Sequence, residues 1–288
     1  MNYKTSDSIF QKRVSFILIT KDRQDHLNKM INTLNKIKNN NDEIIVVNGG
    51  NADISNELVS AHIKEPDISP GHAVNKGILI AKGKYIKNVS DDDFIWGKQL
   101  DRAIEILDTN QNIDLLVCGG IRQKGNKKFP FYFPPNSDYG KNLMQTAKYG
   151  ILGEGMIIRH RSIPIIGLHP IGMASDGEYI IQAIYNGGNV KFSRICLFFR
   201  ESKYDDISSE SKDLVKKDLI KIYKKYNISG IAKSNTKLKK LIRFLLKKYS
   251  PKFYGRRQAK FKVISEDLIN FDLDLLNPES HLWDGGFS

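Results

Sequence analysis

The sequence predicts an α/β protein: a mostly parallel central sheet flanked by helices, followed by a basic helical extension. Three observations carry that reading. Short apolar, β-branched runs alternate with segments of helical period over the first 120 residues, the mark of strand–helix–strand units. With 288 residues, 40% hydrophobic and 27% charged, the chain can bury one large core and carry a smaller appendage. The charge is uneven: residues 211–262 hold 18 Lys or Arg against 2 Asp, a net of +16 that leaves −3 for the rest of a chain totalling +13.

The elements follow in order. VSFILIT at 14–20 reads as the first strand, and in 25–37 Leu27, Met30, Ile31, Leu34 and Ile37 share one helical face. EIIVVN at 43–48 is a second strand, stopped by Gly49 and Gly50. A helix over 72–81 leads through the turn Lys82-Gly83-Lys84 into the strand YIKNVS at 85–90, and Asp91, Asp92 and Asp93 come directly after it. A helix over 98–107 and a strand over 113–120 continue the rhythm. Ligands of such sheets bind beyond the carboxyl ends of the strands, which places Thr20, Asn48 and the three aspartates at one edge. Residues 121–150 turn irregular and aromatic, and FPFYFPP at 129–135 is too proline-rich for an ordinary helix or central strand. A long functional loop or small hairpin is expected there. GMIIRH at 155–160 and NVKFSRICLFFR at 189–200 read as later strands, separated by a helix beginning near Ser175. The main domain spans about 10–205, and 206–288 forms the basic extension with a mildly acidic tail from 265.

This composition excludes a disordered or fibrous protein. No opening segment has the build of a signal peptide and no apolar stretch has bilayer-spanning length, so a cytoplasmic protein is expected. Cys118 and Cys196 each sit inside a hydrophobic strand-like run, as buried thiols of a reducing compartment do.

Adjacent carboxylates repel one another unless a positive charge sits among them, and hard oxygen ligands at a strand end suit Mg²⁺ or Mn²⁺. A helix cap accounts for one of the three aspartates, not for all of them.

The blocks VSFILITKDR, DEIIVVNGGN, SPGHAVNKGILIAKGKYIKNVSDDDF running on to Leu100, and SDGEYIIQAIYNGG followed by FFRES occur in that order over residues 14–202. In this the chain resembles the family 2 glycosyltransferases, which have the GT-A fold. The central run is the most specific, because it sets Asn75, Gly77, Gly83, Tyr85 and the aspartates in the family's spacing. The resemblance implies donor binding by about 10–120, an acceptor side over 121–205, and transfer of a sugar from a nucleotide-diphosphate donor to a hydroxyl acceptor. A glycan or lipid-linked glycan in the making of a cell-surface polysaccharide is the implied acceptor. It implies Asp92 as the leading ligand of Mn²⁺ or Mg²⁺, helped by Asp91 and Asp93, with Ser90 where the family's first metal-motif Asp stands. Asn48 and Gly49 stand where the family commonly has Asp, the first of which contacts the nucleotide base. Asn48 keeps an amide oxygen that can accept.

Asp176 occupies the family's catalytic-base position, with inversion at the anomeric carbon as the consequence of attack opposite the leaving diphosphate. Ser175 and Glu178 also have the S-x-x-E spacing of a capping box, in which Asp176 would be an acid of a first helical turn with its pKa lowered by the helix dipole. Thr20, Asp22 and Arg23 follow the first strand where the nucleotide is expected, as any polar turn would. His72 and Asn75 stand in the donor-side loop, as ligand contacts or as caps. Arg200 is placed to meet a phosphate or to form an ion pair, and Glu154, between two glycines, to face the acceptor.

In TKLKKLIRFLLKKYS at 236–250, Leu238, Leu241, Ile242, Leu245 and Tyr249 share one face with lysines largely elsewhere. That is the pattern of a helix on an anionic membrane surface, or of one whose apolar face packs on the core. No nucleic-acid module surrounds it, so nucleic acid is not expected as a partner. Two other readings share these residues: a non-catalytic nucleotide-sugar or membrane-binding scaffold, and a sugar nucleotidyltransferase. The second usually needs a glycine-rich phosphate loop that ITKDRQD lacks.

Overall fold

The computed structural model describes residues 9–124, 127–131, 153–172, 174–201 and 212–228. The first half is a run of strand–helix units: β1 (Lys12–Thr20), α1 (Gln24–Ile37), β2 (Glu43–Asn48), β3 (Ala61–Lys64), α2 (Pro70–Ile80) and β4 (Gly83–Ser90). β1 and β2 are buried along nearly their whole length because helices cover both faces, which is why they read as unbroken apolar runs. α1 buries Leu27, Met30, Ile31 and Leu34, the stripe its period predicts, while Ile37 packs at the core's margin. α2 starts two residues earlier than its apolar period predicts: Ser69 caps it, its Oγ accepting the His72 N–H at 3.2 Å, and Pro70 occupies the first turn.

After β4 come β5 (Asp93–Ile95), α3 (Gly97–Thr109), β6 (Leu115–Lys124), β7 (Lys127–Phe131), β8 (Met156–Arg159), the single-turn α4 (Ile163–Ile166), α5 (Ser175–Tyr185), β9 (Val190–Glu201) and α6 (Lys212–Lys225). The sheet runs β3-β2-β1-β4-β8-β6-β9-β5, with β7 hydrogen-bonded to β6. The block β3-β2-β1-β4 is parallel as expected, and β6 is parallel to β9. The other half is mixed, since β8 runs antiparallel between β4 and β6, β5 antiparallel to β9, and β7 antiparallel to β6. These antiparallel pieces are three to five residues long. That is too short to show a period, so the sequence pattern could not orient them. The start of the aromatic segment is the hairpin partner β7, and residues 132–152 lie outside the described residues.

α1 and α3 cover one face of the sheet over Phe16, Leu18 and Leu116, and α2 and α5 cover the other over Ile17, Ile45 and Val117. Each such side chain contributes about 1.5–3 kcal/mol by leaving water. Arg159, fully buried in β8, donates to the carbonyls of Leu107 at 2.5 Å and Asn110 at 3.1 Å at the end of α3, and to that of Ile113 at 2.7 Å. It thereby fixes α3 and β8 together with its charge against a helix C-terminus. Cys118 and Cys196 are free and buried. Part of the basic extension is seen: Ile222, Tyr226 and Ile228 at the α6 end pack on Ile181 of α5. The boundary expected near 205 and the amphipathic stretch 236–250 lie outside the described residues. No helix among the described residues is long and apolar enough to cross a membrane.

Candidate active site

Thr20 is paired with Asn48, and Ile19 with Ser90, so β1, β2 and β4 end level with one another and deliver their last residues to one edge. The three aspartates beyond Ser90 do not act as one group. Asp91 is buried and turns toward β1, accepting the Thr20 hydroxyl at 2.7 Å. Arg23 closes on it with an ion pair at 2.5 Å and reaches Asp92 at 3.4 Å. Burial pushes the Asp91 pKa up, and Thr20 and Arg23 restrain that rise. Asp93 turns the other way, into the body of the protein, where its Oδ2 accepts the Ser90 N–H at 3.1 Å. Its Oδ1 is buried without a hydrogen bond, and burial followed by the charge of Glu154 holds its pKa well above the carboxylate range. Asp92 keeps a partly accessible carboxylate that, among the described residues, has only the long Arg23 contact. None of the three caps α3, whose N-cap is Trp96 without a side-chain bond.

Among the described residues no three His, Cys, Asp or Glu side chains converge as a metal cage. The donor set still fits a hard divalent ion, because Mg²⁺-type sites commonly take one or two carboxylates and draw the rest from substrate phosphates and water. Asp92 with Asp91 supplies that pair. A cavity of about 470 Å³ opens beside them between α1 and β5, lined by His26, Lys29, Asp91, Asp92 and Trp96 among others, and Asp93 lines the same cavity.

The second group lies around the turn Gly153–Gly155. Glu154 is buried and ion-paired with Arg200, which comes from β9 directly opposite Asp93 of β5. Burial opposes the Arg200 charge, but Glu154, Asp93 and Asp92 outweigh it and raise its pKa. Below lies Lys87, fully buried, donating to the carbonyls of Glu154 at 2.6 Å and Asn88 at 2.8 Å. Burial pulls its pKa down, while Asp93 and Glu154 counter that.

Asp176, in the first turn of α5, lays its carboxyl against Gly153, where a Cβ would stand 2.5 Å from its Cγ. A side chain at 153 would displace that carboxyl. The expected capping box is absent: Ala174 is the N-cap, and Glu178 instead accepts from Lys225 at 2.8 Å and Tyr226 at 3.3 Å of α6. The dipole expectation is also overturned. Surrounding protein, then Glu154, raises the Asp176 pKa to about 6, more than the Gly153 N–H, Arg200 and Lys87 lower it. Asp176 is nonetheless exposed to water. Solvent screening opposes the rise.

Several expected contacts are spent inside the fold. Asp22, in the left-handed region at φ 55°, accepts the Asn51 N–H at 2.7 Å and ties the β1 turn to the β2 turn. Asn48 accepts from Gly50 at 2.8 Å and donates to Ala52 at 2.7 Å. Asn75 exchanges two 2.8 Å bonds with the His169 backbone. His169 stacks on Tyr179 with ring centroids 3.8 Å apart and bonds Asn88 at 3.0 Å; burial holds its pKa down to about 3, so the ring is neutral. Among the described residues, the His72 ring meets only the Ile68 N–H, at 3.4 Å. Sequence reasoning passed over Lys87 and His169. The one signal was a lysine at an inward register of an otherwise buried strand.

The chain is 26% identical over 152 residues to an uncharacterized glycosyltransferase of Rickettsia prowazekii (strain Madrid E), covering 50% of this chain and 48% of that protein. It is 30% identical over 110 residues to the uncharacterized glycosyltransferase EpsJ of Bacillus subtilis (strain 168), covering 35% and 31%. The matched region thus spans about half or less of these relatives' own length. Among solved structures, S. aureus TarS 1-349 in complex with UDP-GlcNAc superposes with a TM-score of 0.57 at 15% identity, covering 92% of this chain and 78% of that one. The Pyrobaculum calidifontis mannosyltransferase PcManGT in complex with GDP-Man and Mn²⁺ gives 0.55 at 14%, covering 77% and 66%. The shared fold is GT-A. The family model described as Glycosyl transferase family 2 matches residues 15–163, just over half of the sequence, and the chain belongs to that family.

Proposed function

We propose that this chain is an inverting glycosyltransferase that moves a hexosyl or hexosaminyl group from a nucleotide-diphosphate sugar to the hydroxyl of a glycan or lipid-linked glycan, a step in surface-polysaccharide assembly. One observation carries the reading. A basic-shifted carboxylate, Asp176, and the accessible carboxylate Asp92 flank one cluster of Asp93, Glu154 and Arg200 at the strand-end edge. TarS, with UDP-GlcNAc, and PcManGT, with GDP-Man and Mn²⁺, support the donor class and divalent-metal use.

A divalent ion held by Asp92 and Asp91 would supply Lewis-acid neutralisation of the departing diphosphate. The chain's own residues do the rest. Arg200, held by Glu154, brings positive charge to the side of the cluster facing the phosphates. Asp176, ionised at neutral pH yet more basic than a free carboxylate, accepts the acceptor's hydroxyl proton as the new bond to the anomeric carbon forms and the bond to phosphate breaks. Attack from the face opposite the diphosphate inverts the anomeric carbon. The basic extension supports attachment to the inner, anionic face of a membrane.

Arg23, seated on Asp91 and Asp92, favours a second reading, binding without turnover. Purified protein incubated with Mn²⁺ and a panel of nucleotide sugars separates the two. Nucleotide release that disappears in Asp176→Asn while nucleotide binding persists supports transfer; binding with no release in the unmodified protein supports the second.

A further inference from the structure

We propose that the cavity between α1 and the β5–β9 pair is a saccharide-binding subsite. Its occupant, on the transferase reading above on which this assignment rests, is a sugar of the acceptor glycan set back from the reacting hydroxyl.

β5 stands at the end of the sheet order, and successive side chains of a strand point to opposite faces. Across β5 and β9, Asp93 is paired with Arg200 and Phe94 with Phe199, so the charged pair and the aromatic pair are turned to opposite sides. The charged side is the one that meets Glu154 and Asp176. The aromatic side lines the cavity of about 470 Å³ together with Trp96, whose ring meets Phe94 edge-on with centroids 5.6 Å apart. Phe94 is 41% exposed, although its two neighbours in β5, Asp93 and Ile95, are buried. An aromatic ring left open inside a concavity is surface for a ligand, and ligand pockets of about 300–1,000 Å³ are typically built this way.

The facing wall is polar. Asp25, His26 and Lys29 come from the first two turns of α1, and among the described residues their side chains make no hydrogen bond or ion pair. A carboxylate that accepts, an ammonium that donates and an imidazole that does either are all unspent.

A sugar ring matches both walls. Its C–H face is apolar and packs on aromatic rings, while its rim of hydroxyls donates and accepts. Asp25, Asp91, Asp92 and Asp93 line the cavity against Lys29 and His26, so a ligand bringing its own negative charge is opposed and a neutral one is not. The donor sugar belongs elsewhere, because its anomeric carbon must lie where Asp176 delivers the attacking hydroxyl, on the other side of the β5–β9 pair. A glycan whose end lies at Asp176 passes round β5 and lays a later sugar on Phe94 and Phe199.

Trp96 reports on the cavity directly, and Trp283→Phe makes it the single tryptophan of the full chain. The test titrates that protein with the methyl glycosides of glucose, galactose, mannose and N-acetylglucosamine and with maltose, cellobiose, lactose and chitobiose, reading Trp96 fluorescence. Calorimetry with UDP and GDP in Mn²⁺ runs in parallel. At least one saccharide should change the emission saturably. Phe94→Ala should weaken its binding about tenfold and Lys29→Met roughly threefold or more, with nucleotide affinity unchanged. Both side chains are exposed, so thermal melts should not move. If no saccharide of the panel changes Trp96, or one does so equally in both variants and in their parent, the subsite is overturned. A loss of nucleotide affinity in Phe94→Ala overturns it too, since the cavity would then be the donor's. Saccharide binding by a chain that binds no nucleotide overturns the transferase reading and leaves the saccharide site in place.

Discussion

Asp93 and Arg200 stand directly opposite each other across the antiparallel pair of β5 and β9, joining the strand that follows the aspartate motif to the strand that carries the Glu154 partner. Arg200 is ion-paired with Glu154 and lowers the Asp93 pKa, and among the described residues two buried oxygens, Asp93 Oδ1 and Glu154 Oε2, have no hydrogen bond. Replacing Arg200 by methionine removes the ion pair and leaves Lys87 as the other cation acting on both carboxylates. We expect Arg200→Met to lose about 3 kcal/mol in urea denaturation, the lower end for a broken buried ion pair because Arg200 keeps partial exposure. Turnover should be lost as well, and Arg200→Lys should recover part of the stability.

Asp176→Asn should lower kcat by about 10²–10⁴ while nucleotide affinity is retained, measured by initial rates and calorimetry. In the unmodified protein the rate should fall on acidification through about pH 6, where the base becomes protonated. The linkage has a definite sign. A carboxyl with a raised folded-state pKa favours the folded state below its unfolded value and loses that contribution as pH rises through about 6. Asp176→Asn should therefore melt higher than the unmodified protein at pH 7–8 and match it near pH 4.

Chelation by EDTA should stop nucleotide release and added Mn²⁺ should restore it. Asp92→Asn should raise the Mn²⁺ needed for half-maximal rate by more than the roughly 10–100-fold that loss of an outer-shell partner costs. Asp93→Asn should leave that requirement nearly unchanged, because its carboxylate faces Ser90, Glu154 and Arg200 instead. Equal effects of the two substitutions in a metal titration would overturn this division.

Lys87→Met removes the donor to two buried carbonyls, and each acceptor left unsatisfied costs about 1–3 kcal/mol. The same change removes a positive charge that lowers the Asp176 pKa, so the acid limb of the pH–rate profile should move upward. A merely structural lysine would change stability without moving that limb.

Asn75→Ala should cost about 2 kcal/mol in stability, the sum of two ordinary hydrogen bonds to the His169 backbone. A larger loss of nucleotide affinity than of stability would show that Asn75 also touches the donor.

The sequence by itself determined the parallel half of the sheet, because long elements with covered faces declare their period: β2 falls at Glu43–Asn48 as expected, and the α1 stripe is the buried one. It also placed Thr20, Asn48 and the aspartates at one edge, since parallel strands joined by helices must end together. What each polar group does there was decided only by tertiary structure. Asp91, Asp92 and Asp93 are neighbours along the chain, yet one meets Thr20, one faces outward and one lies opposite Arg200, more than a hundred residues on. Ser175 and Glu178 have a capping spacing, but α6 supplies Glu178 with stronger, charged partners. Asp67 reaches the place of a Gly49 side chain only because the two turns are fastened together. The physical reason is common to all three. Periodicity records which face of an element avoids water, whereas a hydrogen bond or ion pair is settled by whichever partner the packed core brings within about 3 Å.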